Sequence, residues 1–118
     1  MKTLVIGASH KPDRYSFLAV NMLREYNHET VALGRRAREV DDWQIIDGRP
    51  ALQDIHTVTL YLNPSNQREY YEYIISLEPQ RVIFNPGTEN AELRQKLLAA
   101  GIEPVSGCTL VMLRSGLY

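Results

Sequence analysis

Short apolar runs rich in β-branched residues recur at positions 3–6, 30–33, 57–62, 81–84 and 102–105, with longer mixed segments between them. Runs that are continuously apolar, rather than alternating, suit strands buried on both faces. Residues 16–26 carry apolar side chains at 17, 18, 19, 20, 22, 23 and 26, leaving Asn21, Arg24 and Glu25 on the other side. That is helical spacing with a wide inner face, for which Ser16 or Asp13 could serve as cap. Asn63-Pro64 supplies an N-cap and a first helical position for a helix that stops before Pro79. Thr88 caps a further helix, with Glu89 and Glu92 in its first turn, Leu93, Leu97 and Ala100 inside, and Gly101 as its stop. Strand–helix alternation at this spacing predicts an α/β domain, with five parallel strands and helices on both faces.

Two segments are less legible. Residues 35–56 show no amphipathic helix longer than two turns. Asp47-Gly48 marks a turn and Pro50 forbids a central strand, so the stretch reads as an irregular crossover. The C-terminal tail has no clear form. Strand order does not follow from the pattern, and a Rossmann-like order is the natural expectation. At 118 residues, 44% hydrophobic and 23% charged, residues 1–118 are expected to form one such domain.

Charge and cysteine content narrow the classes. A formal net charge of −1 gives no global attraction to nucleic acid or to an anionic membrane, so any anion binding must be local. The apolar runs are far shorter than the roughly 20 residues of a membrane helix. Cys108, the single cysteine, excludes an internal disulfide and is consistent with a reducing compartment. With a strand-like start in place of a signal-peptide pattern, a cytoplasmic location is expected. His10, His28 and His56 lack metal-ligand spacing, so no metal site is expected.

In an open parallel sheet, ligands bind beyond the carboxyl ends of the strands. The loops at that edge gather small, hydroxylic and basic residues. The first holds Gly7, Ala8, Ser9, Arg14 and Ser16, and the second Gly34, Arg35, Arg36 and Arg38. Asn63, Asn85 and Gly87 follow, and then Ser106, Gly107 and Cys108. Gly7 permits a tight turn, Ala8 and Ser9 let a ligand approach the backbone, and the following helix start offers unpaired N–H groups to a diphosphate. The loop is neither G-x-G-x-x-G, because position 9 is Ser and position 12 is Pro, nor a P-loop, because no Gly-Lys-Ser/Thr follows. Domains that bind NAD usually place a carboxylate after the second strand. Here Arg35 and Arg36 stand in that place and suit a phosphate on the ribose. Both NADP and coenzyme A carry one. The bland alternative is a solvated cluster balanced by Glu39, Asp41 and Asp42.

Residues 4–9 (Leu-Val-Ile-Gly-Ala-Ser), Lys11-Pro12-Asp13-Arg14 and Ser16 resemble the opening of the small bacterial CoA-binding-domain proteins. These are similar to the nucleotide-binding domain of succinyl-CoA synthetase α subunits. The resemblance continues through Ala51-Leu52-Gln53-Asp54-Ile55, Gly87 with Glu89-Asn90, and Ala100-Gly101-Ile102, and ends near Cys108. It implies a Rossmann-type fold with the CoA diphosphate over Ser9 and the helix start near Ser16. It also implies that the adenine end points to the loop after the second strand. The chain departs from the family at Leu33-Gly34, where Asn-Pro is common, at Tyr15, where proline is frequent, and at Cys108-Thr109-Leu110, where basic residues often follow.

Three functional classes follow. The first is a CoA-binding module, working alone or as a homodimer or partner subunit; no general base, paired carboxylates or triad is evident in the sequence. The second is an NADP-binding, oxidoreductase-like domain. The third is an interaction protein with a vestigial nucleotide pocket. Cys108 reads either as a thiol meeting the CoA thiol or as a small packed residue, and the absence of a nearby activating base favours packing. Tyr70, Tyr71 and Tyr73 fall on helical stripes that suit core packing or a dimer contact. Trp43 either covers the adenine or pins its loop.

Overall fold

The computed structural model describes all 118 residues and contains seven strands rather than the five expected. In chain order the elements are β1 (Thr3–Ile6), α1 (Tyr15–Glu25), β2 (Thr30–Leu33), β3 (Arg38–Val40), β4 (Trp43–Ile46) and β5 (Thr57–Leu60). Then come α2 (Pro64–Gln67), α3 (Tyr71–Ser76), β6 (Arg81–Phe84), α4 (Ala91–Ala99), β7 (Glu103–Ser106) and α5 (Thr109–Ser115). The sheet order is β3-β4-β2-β1-β5-β6-β7, and only the β3–β4 pair is antiparallel. Among the parallel strands the order is third, second, first, fourth, fifth, sixth, which is the Rossmann order. It reverses between β1 and β5, which pair directly.

The two extra strands lie inside residues 35–56. β3 and β4 form a hairpin that turns at Asp41, whose φ is 50°. Only Ala32–Ile45 and Leu33–Ile46 join β4 to β2. A three-residue edge strand with Arg38 and Glu39 exposed need not be an apolar run, because one of its sides faces water. Trp43 pins this hairpin to α1: its ring lies 5.8 Å from that of Phe17, and its indole N–H donates to Asn21 Oδ1 at 3.2 Å. The tail forms α5, with Thr109, Leu110 and Leu113 buried and Gly116 closing it at φ 77°. At the far edge, β7 accommodates Pro104, whose missing N–H would leave a gap in a central strand.

Alternate residues of each strand point to opposite faces. Leu4 and Ile6 join Val58, Leu60, Val82 and Phe84 in the larger core, together with Tyr70, Tyr71 and Ile74 and with Leu93 and Leu97 of α4. Val5 and Ala32 face Val20 and Leu23 of α1 and Leu113 of α5. Tyr70 and Tyr71 are thus core residues. The inner stripe of α1 is narrower than expected: Ser16, Ala19, Val20 and Leu23 are buried, whereas Leu18 and Tyr26 are exposed. A short 3₁₀ turn at Arg68–Tyr70 separates α2 from α3. No helix is long and apolar enough to cross a membrane.

Candidate functional site

The site begins where β1 ends. Gly7 has φ 91°, a conformation that side chains disfavour, and a Cβ there would meet Tyr61 backbone at 3.1 Å. Both Gly7 N–H and Ala8 N–H donate to the Leu33 carbonyl, at 2.9 and 3.0 Å. A Cβ on Gly34 would fall 2.9 Å from the Ala8 carbonyl oxygen, so the loops after β1 and β2 meet backbone to backbone. Lys11 N–H then donates to Ser9 Oγ (3.1 Å) and Arg14 N–H to the Lys11 carbonyl (3.0 Å), turning the chain into α1.

How α1 starts sets it apart. Arg14 is its N-cap residue, with extended backbone, no side-chain hydrogen bond and no acidic residue in the first turn. Neither Asp13 nor Ser16 caps it; Ser16 sits inside the helix. By contrast, Asn63 Oδ1 accepts from Asn66 N–H at 3.0 Å to cap α2. Asn90 Oδ1 accepts from Leu93 N–H at 3.2 Å to cap α4. Asn85 Oδ1 accepts from Thr109 N–H at 2.9 Å, serving α5 from another strand end. Thr88, expected as the cap of α4, instead donates its hydroxyl to the Asn85 carbonyl (2.7 Å). Among the helices that begin from a loop, α1 alone lacks a side-chain partner. The first N–H groups of such a helix stay unpaired and carry the positive end of its dipole.

This helix start opens on a cavity of about 360 Å³ above the β1–β5 switch point, lined by Gly7, Ser9, Lys11, Arg14 and Ser16 and closed by the loops after β5 and β6. Two cations and no carboxylate line it. A second cavity of about 340 Å³ shares Gly7 and Leu62 with the first and reaches Gly34, Arg35, Arg49 and Tyr70. There the Arg49 guanidinium lies 3.9 Å from the Tyr70 ring centroid, donates to the Gly48 carbonyl at 2.9 Å and pairs with Glu69 at 3.6 Å. A third cavity of about 350 Å³ shares Tyr15, Tyr61 and Pro86 with the first, and its wall, which includes Cys108, is mostly apolar. Burial pushes the Tyr61 phenol up to about 12, so it stays neutral. Its hydroxyl lies close to Thr59 and Thr109, which already pair with each other at 2.8 Å, and has no partner of its own.

Residues 1–114 match the model of the CoA binding domain family. The chain belongs to that family. Its structure is similar to the crystal structure of an uncharacterized protein, with 52% identity and a TM-score of 0.96 over 99% of this chain and 97% of that one. A hypothetical protein from Pyrococcus horikoshii OT3 shares the fold at 24% identity and a TM-score of 0.86, over 98% of this chain and 82% of that one. A protein from Thermus thermophilus shares it at 21% identity and a TM-score of 0.83, over 99% and 90%. No curated protein matches the chain.

Set in this CoA-binding-family fold, the residues singled out in the sequence fall into three groups. Gly7, Ser9, Arg14, Ser16, Asn63 and Gly87 line the central cavity, and Gly34 and Arg35 line the second. Asn85 touches the third but is buried, its amide donating to Thr59 Oγ1 (2.7 Å) and the Leu60 carbonyl (2.9 Å). Ala8 packs against the α1-side core, and Arg36 is exposed and lines none of the three cavities. Lys11, Tyr61 and Arg49 are lining residues the sequence pattern did not bring forward. Lys11 was findable as a cation in the first loop. Arg49 was not, because only the pairing of β4 with β2 carries Gly48-Arg49 to this edge.

Proposed function

We propose that this domain binds coenzyme A, free or as a thioester, across the carboxyl edge of its sheet, with the diphosphate at the start of α1. The observation that carries the proposal is the uncapped N-terminus of α1, opening on a cleft with Ser9, Lys11, Arg14 and Ser16 in a chain of the CoA-binding family. A partly buried anion at a helix start is worth up to about 2 kcal/mol, and cationic donors such as Lys11 and Arg14 add charge-assisted hydrogen bonds. The nucleotide end of the ligand extends over the second cavity. Arg35 there makes no salt bridge and meets the 3′-phosphate, with Arg36 beside it on the exposed rim. Arg49 is held by Glu69 and Tyr70 and forms a fixed wall. Asn63 and Gly87 flank the pantetheine arm.

Calorimetry and thermal shift on protein stripped of bound small molecules test this. CoA at a hundredfold excess over Kd is expected to stabilise the fold by about 2.7 kcal/mol, and dephospho-CoA to bind roughly tenfold more weakly. Equal affinity for the two would remove the role given to Arg35 and Arg36. A response to NADP but not to CoA would replace the ligand, and a response to neither would leave an interaction protein with a vestigial pocket.

A further inference from the structure

The third cavity is contiguous with the central one and opposite to it in character. Tyr15, Tyr61 and Pro86 form a wall common to both, and beyond them the lining passes to Cys108, Leu110 and Val111. Its polar neighbours offer little to a polar occupant. The Asn85 amide is fully engaged with Thr59, the Leu60 carbonyl and Thr109 N–H. The Tyr61 hydroxyl is buried beside Thr59 and Thr109, and Arg114 is exposed to water. Tyr15 and Val111 stand 72% and 59% exposed, an apolar surface that nothing in the fold covers. The cationic second cavity meets the central cavity through Gly7 and Leu62 instead. A ligand matched to this series would be anionic in its middle and at one end, and apolar at the other.

We infer that the apolar cavity between the start of α1 and α5 receives the acyl group of a CoA thioester, so that the domain prefers short-chain acyl-CoA over free CoA. The inference rests on the proposed CoA site and adds the class of thioester to it. A neutral hydrocarbon chain fits because most of the wall is apolar, the Asn85 amide is already paired, the Tyr61 hydroxyl is already buried, and the one charged lining residue, Arg114, keeps its access to water. At about 350 Å³ the cavity lies at the small end of the range for ligand sites, roughly 300–1,000 Å³, which suits a short chain. Each methylene placed there should tighten binding by about fourfold, until the cavity is full.

The test is a calorimetric series on the stripped 118-residue chain with CoA, acetyl-, butyryl-, hexanoyl- and palmitoyl-CoA. Expected is a stepwise fall in Kd from acetyl- to hexanoyl-CoA, with no further gain at palmitoyl-CoA. In Val111→Asp the ratio of hexanoyl-CoA to CoA affinity should collapse towards unity; because a ratio is measured, an altered affinity for CoA itself does not affect the reading. Binding of CoA with a flat series in the unaltered protein would overturn the acyl assignment while leaving the CoA site standing. A flat series together with a dimer that Val111→Asp dissociates would give this surface to a second copy of the chain and overturn it too. Failure of every member, CoA included, would remove the CoA proposal and this inference with it.

Discussion

At the amino edge of the sheet, Tyr118 folds back against the strand starts, whereas at the carboxyl edge the loops stand apart around three cavities. The Tyr118 hydroxyl bonds the Thr3 hydroxyl, its carbonyl accepts from Arg81 Nη2 at 3.0 Å, and the Arg81 guanidinium lies 4.6 Å from its ring centroid. Arg81 Nε also donates to Thr57 Oγ1 at 2.9 Å, and His56 Nδ1 pairs with the same hydroxyl at 2.7 Å. The His28 ring packs on Tyr118, with centroids 4.9 Å apart. Polar groups at this edge satisfy one another. Across the sheet, the first turn of α1 has no cap and Arg35 makes no salt bridge. Both edges carry cations and hydroxyls, so composition does not distinguish them. What does is whether the groups already have partners: a closed network holds structure, and an open set is free to hold a ligand.

Filling the open edge should have the largest effect. Ser9→Leu is expected to weaken CoA binding roughly a hundredfold, about 2.7 kcal/mol, with the melting temperature of the ligand-free protein little changed. Titration calorimetry and a thermal melt measure the two; retained affinity would mean that the diphosphate lies elsewhere. Breaking the closed edge should do the reverse. Arg81→Ala removes two hydrogen bonds from a charged donor and its stacking on Tyr118, and is expected to cost about 2 kcal/mol in urea unfolding. CoA affinity should remain within about twofold of the original, and a large loss would show that the two edges are coupled. A smaller effect is expected from Arg35→Ala, which should bring the affinities for CoA and dephospho-CoA together by weakening the former about tenfold. Unchanged discrimination in competition binding would point to Arg36 or Arg49 as the phosphate contact.

The smallest effect is one of pH. Burial holds both His28 and His56 below the ordinary value of 6.5, helped by the N-terminal charge and by Arg81. Because the folded pKa is the lower one, the unfolded chain takes up protons first as pH falls below 6.5. This part of the stability is therefore complete above that pH and is lost progressively beneath it. Melting temperature should drop modestly between about pH 7.5 and 5.5, and the slope should flatten in the His28→Asn, His56→Gln double variant. An unaltered slope in that variant would place the titrating groups elsewhere. At the carboxyl edge Tyr61, pushed up to about 12, stays protonated throughout this range.

Much of this architecture is legible in the amino-acid sequence. The four parallel central strands β2, β1, β5 and β6 announce themselves because strands covered on two faces carry near-continuous runs of apolar and β-branched residues. β3 and β4 did not, since short strands near an edge tolerate Arg38, Glu39 and Gln44. Helix caps were only partly legible. Asn63 caps its own helix through a local bond that sequence spacing encodes. Thr88 resembled a cap yet serves Asn85, because Asn90, two residues further on, takes the role with Leu93 N–H. The first loop was recognisable as a candidate site because Gly7, Ser9, Arg14 and Ser16 are neighbours in sequence. Its completion by Arg49 and Tyr61 was hidden, since those residues reach the edge only through strand pairing.

Local chemistry is thus written along the chain: apolar runs that must be buried, a glycine that must take a positive φ at position 7, and cations gathered in two loops. Which of those cations stay unpaired depends on contacts between residues far apart in sequence. Arg24 is matched by Asp42 at 2.9 Å and Arg49 by Glu69 at 3.6 Å, while Lys11, Arg14 and Arg35 form no salt bridge. Asn85 could equally have served a ligand until β7 returned beside β6 and set Thr109 N–H against it. A side chain's identity fixes what it can bond to. Folding decides whether that capacity is already satisfied, because each donor or acceptor is matched by whichever group the chain path brings within reach.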